Sequence, residues 1–261
     1  MTTTTPTTIQ ARRPGAGAWL RMIQAEAKSI IRSTADVLIP VGLPVLLLVM
    51  HGMGIDDLNE EVSPGVTVLD YYALPVVLTM VLAMVALMNF PIYLATYRKT
   101  KILRRLAVTP ASPAMVLVAQ MVVSFIQVLL GMTILFVIAA MFFNANPPND
   151  LLMTVLVLLA CSIAMYALGM MVASVAPTPS AATTIGIIVF FGLAALGGMF
   201  MPMENLPEPL AEIGAWLPFG AAVEAFQSTW MGETVAWENW VSLAASTAIG
   251  LSVTATLFRW E

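Results

Sequence analysis

The sequence predicts an all-α membrane protein with six transmembrane helices, and two properties of the chain support that prediction. Of its 261 residues, 59% are hydrophobic and 10% are charged, with a mean hydropathy of +0.90. Soluble domains carry about 25% charged residues, so this composition is typical of a membrane protein. Six stretches are also apolar over the ~20 residues that a helix needs to cross a bilayer: about 37–53, 71–96, 113–143, 151–175, 181–201 and 239–258.

The eleven basic residues predict the orientation of these spans. Five precede the first span, five lie between residues 98 and 105, and Arg259 follows the last span, so six crossings put all of them on one side. The opposite loops contain acidic residues and no basic ones. The positive-inside rule then places both termini and the 97–112 loop in the cytoplasm. We expect a multi-pass protein of the cell membrane, the inner or plasma membrane of a bacterium, with a disordered tail over residues 1–15 before a single domain, 16–260.

Residues 16–33 predict an amphipathic helix lying in the membrane interface. Apolar side chains recur at helical spacing from Trp19 to Ile31, and basic side chains occupy another face: Arg21, Lys28 and Arg32. Tryptophan suits headgroup depth and the bases suit an anionic inner leaflet, so membrane lipid is an expected partner. The helix is either a simple anchor or a lever beside a cytoplasmic partner.

The 97–112 loop is more than a marker of the inner side. Leu103 and Leu106 can share the apolar face of a short helix, which Pro110 ends. A solvated basic loop is the plain alternative, but it does not require the leucines or the rigid exit. A short amphipathic helix of this kind fits a groove on a protein partner.

Polar and helix-breaking residues mark the spans and the outer segment. In the second span Asn89 precedes Pro91, and this asparagine either lines a path or ties two spans together. Gly169 in the fourth span predicts close helix packing, and Gly197-Gly198 should unwind the fifth. Residues 202–238 predict two short apolar helices, re-entrant or interfacial, that form a lid over the outer mouth.

The residues that enzyme chemistry needs are scarce. None of the three lysines follows a glycine, so a phosphate-binding Gly-Lys-Ser/Thr loop is absent. His51 is the single histidine and Cys161 the single cysteine, which excludes a multi-histidine metal site and an internal disulfide. No acid lies near the middle of a span, which disfavours an ion-coupled carrier. We expect no catalytic residue and no bound metal.

Two segments resemble the type-2 ABC exporter permeases, in particular their drug-efflux-like branch. Residues 103–112 look like the family's coupling segment, and residues 197–207 with Leu217-Pro218-Phe219 resemble its outer signature. The resemblance covers nearly the whole chain. Family members often carry glycine and an acid where this chain has Lys101 and Arg104. The importer-type loop with Glu-Ala-Ala and a spaced glycine is absent, which favours export.

The resemblance implies a half-transporter whose partners are a second permease copy, identical or related, and two cytoplasmic ATPase subunits, with no nucleic acid. ATP and Mg are then expected on the ATPase subunits, and no cofactor on this chain. The implied ATPase-coupling residues are Arg98, Lys101, Leu103, Arg104, Arg105, Leu106, Thr109 and Pro110. The implied translocation path involves Asn89, Tyr93, Thr183, Phe190 and Met199. The implied outer gate involves Met201, Pro202, Glu204, Pro207, Pro218 and Glu224.

Three functions are consistent with this reasoning. The leading expectation is ATP-driven efflux of an amphiphilic small molecule, because Met-rich spans adapt to varied apolar ligands. Export of a lipid-linked glycan or another cell-envelope precursor is the nearest alternative. From another class, the chain is a membrane scaffold or sensor that recruits a cytoplasmic protein without transporting anything.

Overall fold

A computed structural model of the protein describes residues 15–54, 58–101 and 113–257, and these are predominantly helical. The chain begins with α1 (Ala16–Arg32) and α2 (Thr34–Gly54), followed by an antiparallel hairpin of β1 (Glu61–Ser63) and β2 (Val66–Thr67). The second span then runs unbroken over Leu69–Lys99 and contains α3 (Leu74–Met84) and α4 (Phe90–Lys99). The later helices are α5 (Pro113–Phe143), α6 (Leu151–Val175), α7 (Pro179–Leu196), α8 (Glu208–Trp216), α9 (Pro218–Met231) and α10 (Trp237–Leu257).

Within the described residues, six helices are long and apolar enough to cross a membrane, which confirms the predicted all-α membrane fold. They are α2, the second span, α5, α6, α7 and α10. Helix α7, which is the fifth span, ends at Leu196, five residues before the predicted limit of that span. Gly198 there adopts a φ of +91°, a left-handed conformation that glycine tolerates and that ends the helix.

The second span is the centre of the bundle, and every residue of α3 is buried. Two π-helical turns, Leu69–Ala73 and Val85–Asn89, interrupt its α-helical geometry. Pro91 follows the second turn and has no N–H to donate to the carbonyl of Leu87 four residues earlier or of Ala86 five residues earlier. The predicted breaker therefore loosens the backbone while the span stays continuous.

Two glycines of neighbouring helices approach the carbonyls of this turn. A Cβ atom on Gly169 of α6 would lie 2.1 Å from the Ala86 carbonyl oxygen, and one on Gly186 of α7 would lie 2.4 Å from that of Leu87. Only glycine allows backbones so close, and its Cα–H can contact an oxygen that proline leaves without a helical donor. The close packing predicted at Gly169 is therefore present, and α7 repeats it.

At the end of the bundle that the sequence predicts to be the outer one, the elements are held together by one buried acid and by α9. Asp70 is fully buried and accepts hydrogen bonds from Thr67 at the end of the hairpin and from Asn146 in the loop after α5. The indole N–H of Trp230 in α9 donates to the Asn146 carbonyl over 2.9 Å. The hairpin, the loop and α9, which packs on α3, α6 and α10, thus form one outer layer. The two short helices predicted over 202–238 are α8 and α9, divided at Pro218.

Candidate functional site

A ladder of polar side chains lies along one face of the second span toward its C-terminal end, which is the predicted inner end. Asn89, Tyr93 and Tyr97 are four residues apart, so they stack on the same side of the helix. The Asn89 amide donates to the Asp36 main-chain carbonyl over 2.9 Å, and the Tyr93 hydroxyl donates to the Asp36 carboxylate over 2.6 Å. The Tyr97 hydroxyl donates to the carboxylate of Glu26 in α1. The ladder therefore joins the second span to both α1 and α2.

Asp36 is the meeting point of three helices. It lies in the first turn of α2, where its carbonyl also accepts a hydrogen bond from the Gln127 amide of α5 over 2.6 Å. Asn89 thus ties spans together, which was one of its two predicted roles. Because hydrogen bonds have few competitors in the apolar part of a membrane, these ties hold the three helices in register.

Glu26 is the ladder's second anchor and an unusual residue for its position. It is 7% exposed and faces the bundle from a helix whose bases, Arg21, Lys28 and Arg32, are exposed. Burial raises the pKa of the Glu26 carboxyl, and the hydrogen bond from Tyr97 acts in the opposite direction. An acid between Ile23 and Ile30 on the predicted apolar face was the signal in the sequence that could have revealed this contact.

Arg98 connects the inner end of the second span to α6. Its guanidinium donates to the carbonyls of Ala173 and Ala176, at the C-terminal end of α6. The last carbonyls of a helix lack helical donors and carry partial negative charge, so a cation is stabilised there. Together with the ladder, Arg98 brings α1, α2, α5, α6 and the second span to one inner cluster.

The chain leaves this cluster directly into the predicted coupling segment. Lys99, Thr100 and Lys101 are exposed, and Lys101 has a left-handed φ of 57° that ends the helix. The coupling candidates beyond it lie outside the described residues, and their roles stay predictions: Leu103, Arg104, Arg105, Leu106, Thr109 and Pro110.

The described part of α1 is only partly arranged as predicted. Trp19 is half-buried and the three basic residues are exposed, whereas Ile31, expected on the apolar face, is 74% exposed. The helix turns Glu26 and Ile30 toward α5 and α2. Its outward face is therefore mixed, basic and apolar, and placement in the interface plane stays a prediction.

The five path candidates do not form one group. Asn89 and Tyr93 belong to the inner ladder, and the Thr183 hydroxyl donates to the Pro179 carbonyl of its own helix. Phe190 and Met199 are 1% and 2% exposed and lie in the hydrophobic core of the protein. Lining of a path by these residues stays a prediction.

At the other end of the bundle a cavity of about 760 Å³ lies between the start of the second span, α9 and the segment after α7. Four of the six gate candidates line it, namely Met201, Pro202, Glu204 and Glu224. Of the other two, Pro207 immediately precedes α8 and Pro218 is the first residue of α9, positions at which a helix needs no N–H donor. Sequence reasoning missed the other polar lining residues, among them Tyr71, Tyr72, Glu233 and Asn239.

Two contacts between lining residues hold the cavity wall together. The Tyr72 hydroxyl donates to the Glu204 carboxylate over 3.1 Å, which joins the second span to the segment after α7. Glu224 of α9 is half-buried beside Asn239 of α10. Burial raises the pKa of the Glu224 carboxyl, the hydrogen bond with Asn239 acts against that rise, and the nearby charge of Glu238 adds to it.

The described residues form an α-helical, multi-pass membrane protein, and the comparison with protein families gives its family. The model of the ABC-2 family transporter protein matches residues 52–258, and the chain belongs to this family. It is also similar to "Putative transport permease YvfS" of Bacillus subtilis (strain 168), with 30% identity over 141 residues. That match covers 52% of this chain and 56% of the relative, so the chain spans little more than half of it.

Proposed function

We propose that the chain is the transmembrane half of an ATP-driven exporter that moves an amphiphilic small molecule out of the cell. Two cytoplasmic ATPase subunits and a second permease copy complete the assembly, with ATP and Mg on the ATPase subunits. The observation that supports this proposal most strongly is the inner cluster. Five helices are joined by hydrogen bonds immediately before the basic segment that resembles the family's coupling loop.

The cluster offers a direct route from the ATPase to the spans. A push on the 102–112 segment reaches the second span through Lys99 and Lys101. The bonds of Tyr97 with Glu26, of Tyr93 with Asp36 and of Arg98 with α6 then carry that displacement into neighbouring helices. Buried polar bonds of this kind break or re-form as units, which suits a switch between two arrangements.

The backbone above the cluster is suited to bend. The π-helical turn at Val85–Asn89 and Pro91 remove regular hydrogen bonds from the middle of the second span. Movement of the inner segment, α4, is therefore not rigidly transmitted to the outer segment, α3. Such a joint lets the two ends of the span move separately, which suits a switch between two access states.

The observed cavity fits a small cargo better than a polymer. A volume of about 760 Å³ lies within the ~300–1,000 Å³ range of small-molecule sites. This supports export of a drug-sized or lipid-like molecule over a lipid-linked glycan.

The test is reconstitution of the full chain with the ATPase that copurifies with it. In proteoliposomes we expect the double variant Leu103→Asp, Leu106→Asp to retain basal ATP hydrolysis and to lose both stimulation by cargo and transport, because two charges on the apolar face prevent docking. The matched control, Leu103→Met with Leu106→Met, keeps the face apolar and should retain coupling.

Two results would overturn the proposal. Unchanged coupling in the aspartate variant would show that the segment does not dock onto the ATPase. An assembly in which no ATPase copurifies, or in which hydrolysis never depends on this chain, would favour a membrane scaffold or sensor.

A further inference from the structure

The outer cavity combines an apolar wall with an unbalanced charge. Its wall includes Val76, Met203 and Met231, and three carboxylates lie among these apolar groups: Glu204, Glu224 and Glu233. Within the described residues, no Lys or Arg lines it. The sequence places every Lys and Arg at or before residue 32, between 98 and 105, or at 259. With six crossings, this chain has no Lys or Arg on the cavity's side of the membrane, and its single histidine, His51, lies in the cavity wall.

The three carboxylates share the cavity wall with a pair of tyrosines, Tyr71 and Tyr72. Tyr71 and Tyr72 meet edge to face, with ring centroids 4.8 Å apart and planes at 87°. The hydrogen bond from Tyr72 to Glu204 orients the pair. Aromatic faces attract cations, and nearby carboxylates strengthen that attraction.

Negative charge is costly where a carboxylate is partly desolvated and no cation balances it. This applies to Glu224, whereas Glu204 and Glu233 are exposed. Glu224 is half-buried, and its amide neighbour Asn239 supplies a hydrogen bond but no positive charge. Among the described residues, no group of three His, Cys, Asp or Glu side chains is arranged to hold a metal ion. The acids are spread around the wall, an arrangement suited to a larger and softer cation.

We propose that this cavity binds an organic cation with an apolar or aromatic body. The charge of the ligand lies among Glu204, Glu224 and Glu233, its body contacts Tyr71 and the methionines, and its size is that of a drug-like molecule. The interpretation of this cavity as the last binding site of a transported molecule rests on the proposed export function. Binding itself does not, because it requires neither ATP nor an ATPase.

The experiment uses two probes of nearly the same shape and opposite charge, tetraphenylphosphonium and tetraphenylborate. Equilibrium dialysis measures their binding to the full chain, with its ATPase subunits, in lipid nanodiscs without ATP. Empty nanodiscs are subtracted, since both ions partition into lipid. We expect saturable binding of the cation, with an affinity at least tenfold above that of the anion.

Charge-removing variants locate the site. The combined variant Glu204→Gln, Glu224→Gln, Glu233→Gln should raise the Kd of the cation about tenfold or more, since each tenfold step corresponds to 1.4 kcal/mol of charge interaction. The matched control, Glu208→Gln with Glu212→Gln, removes two exposed acids of α8 that do not line the cavity and should leave the Kd unchanged.

A second pair of variants tests the aromatic contact. Tyr71→Leu should raise the Kd about threefold, whereas Tyr71→Phe should leave it unchanged, because only the ring is required. The Tm of each variant is measured as well, and a value near that of the wild type shows that the variant is folded and that any loss of binding is direct.

Failure of this inference is distinguishable from failure of the export proposal. Absence of saturable cation binding, equal affinity for both probes, or an unchanged Kd in the triple variant would overturn the inference. Such a result beside intact coupling through Leu103 and Leu106 leaves the export proposal standing. Cation binding that depends on the three acids, in an assembly without coupling, supports the site and overturns export.

Discussion

Glu26 shows how a single residue can connect an outlying helix to the bundle. It is the one acid of α1, and its carboxylate accepts a hydrogen bond from Tyr97, one residue before Arg98. Its burial has a cost, because a carboxylate loses water that one hydroxyl does not fully replace. The contact is thus polar enough to be specific, and weak enough to rearrange when the inner segment moves.

This burial predicts a pH dependence of stability. Because the folded protein raises the pKa of Glu26 above its ordinary value of 4.5, it binds the proton more tightly than the unfolded chain does. Stability from this group is therefore fully present below pH 4.5 and is lost as pH rises through the raised pKa. Glu26→Gln keeps an acceptor for Tyr97 and cannot ionise. At neutral pH we expect it to raise the free energy of unfolding by about 1 kcal/mol, which corresponds to a rise in Tm of roughly 2–4 °C.

The measurement is Tm of the purified protein in detergent from pH 4 to pH 8. The curves of wild type and Glu26→Gln should converge at the acid end and separate toward pH 8. Tyr97→Phe is the matched variant, since it keeps the ring and the buried acid but removes the hydrogen bond, and it should lower Tm at neutral pH. Parallel curves for wild type and Glu26→Gln would contradict the prediction.

At the scale of elements, the second span is held by backbone contacts as well as by side chains. Two helices, α6 and α7, each present a glycine to the carbonyls of its π-helical turn. Such contacts depend on the absence of a Cβ atom and cannot be replaced by repacking. The position of the π-helical turn is therefore fixed by contacts among three helices.

Two glycines of α7 test this arrangement. A Cβ atom on Gly186 would meet the Leu87 carbonyl at 2.4 Å, whereas one on Gly192 would meet nothing within 4 Å. We expect Gly186→Ala to destabilise the protein by about 1–3 kcal/mol and to impair coupling, because the helices must separate. Gly192→Ala should be neutral or slightly stabilising. Tm and cargo-stimulated ATP hydrolysis measure both, and equal effects of the two substitutions would argue against the contact.

The elements differ in how far the sequence could predict them. The limits of α5 and α6 follow from long apolar runs without charge, and the sequence predicts both of them correctly. The contacts of Glu26, Asp36 and Arg98 join residues 53 to 91 positions apart, so they depend on how the helices pack rather than on any local pattern. Tyr71 and Glu233 escaped notice for the same reason, since the chain brings them together only in the folded bundle.

At the scale of the whole molecule, charge is separated along one axis. The sequence confines bases to one side of the predicted membrane, while the cavity at the other end is acidic. The inner cluster and the outer cavity lie at opposite ends of the same span, because Arg98 and Tyr71 both belong to it. The two ends are thus parts of one helix that the π-helical turn at Val85–Asn89 interrupts in its middle.

The predicted orientation can be measured with cysteine labels. Native Cys161 is fully buried and should not react, so single cysteines can be added to the wild-type chain. Glu61→Cys lies on the exposed hairpin and Thr100→Cys beside the inner cluster. A membrane-impermeant maleimide should label Glu61→Cys in intact cells and Thr100→Cys only in inverted vesicles. The reverse pattern would refute cytoplasmic termini.

The glycine contacts of the second span have an evolutionary consequence. Because any side chain at Gly169 or Gly186 would meet a carbonyl oxygen of the π-helical turn, a lineage that keeps this packing must keep both glycines. The residues that line the outer cavity are not subject to that requirement. Such a lineage can therefore change its cargo while inheriting the same turn.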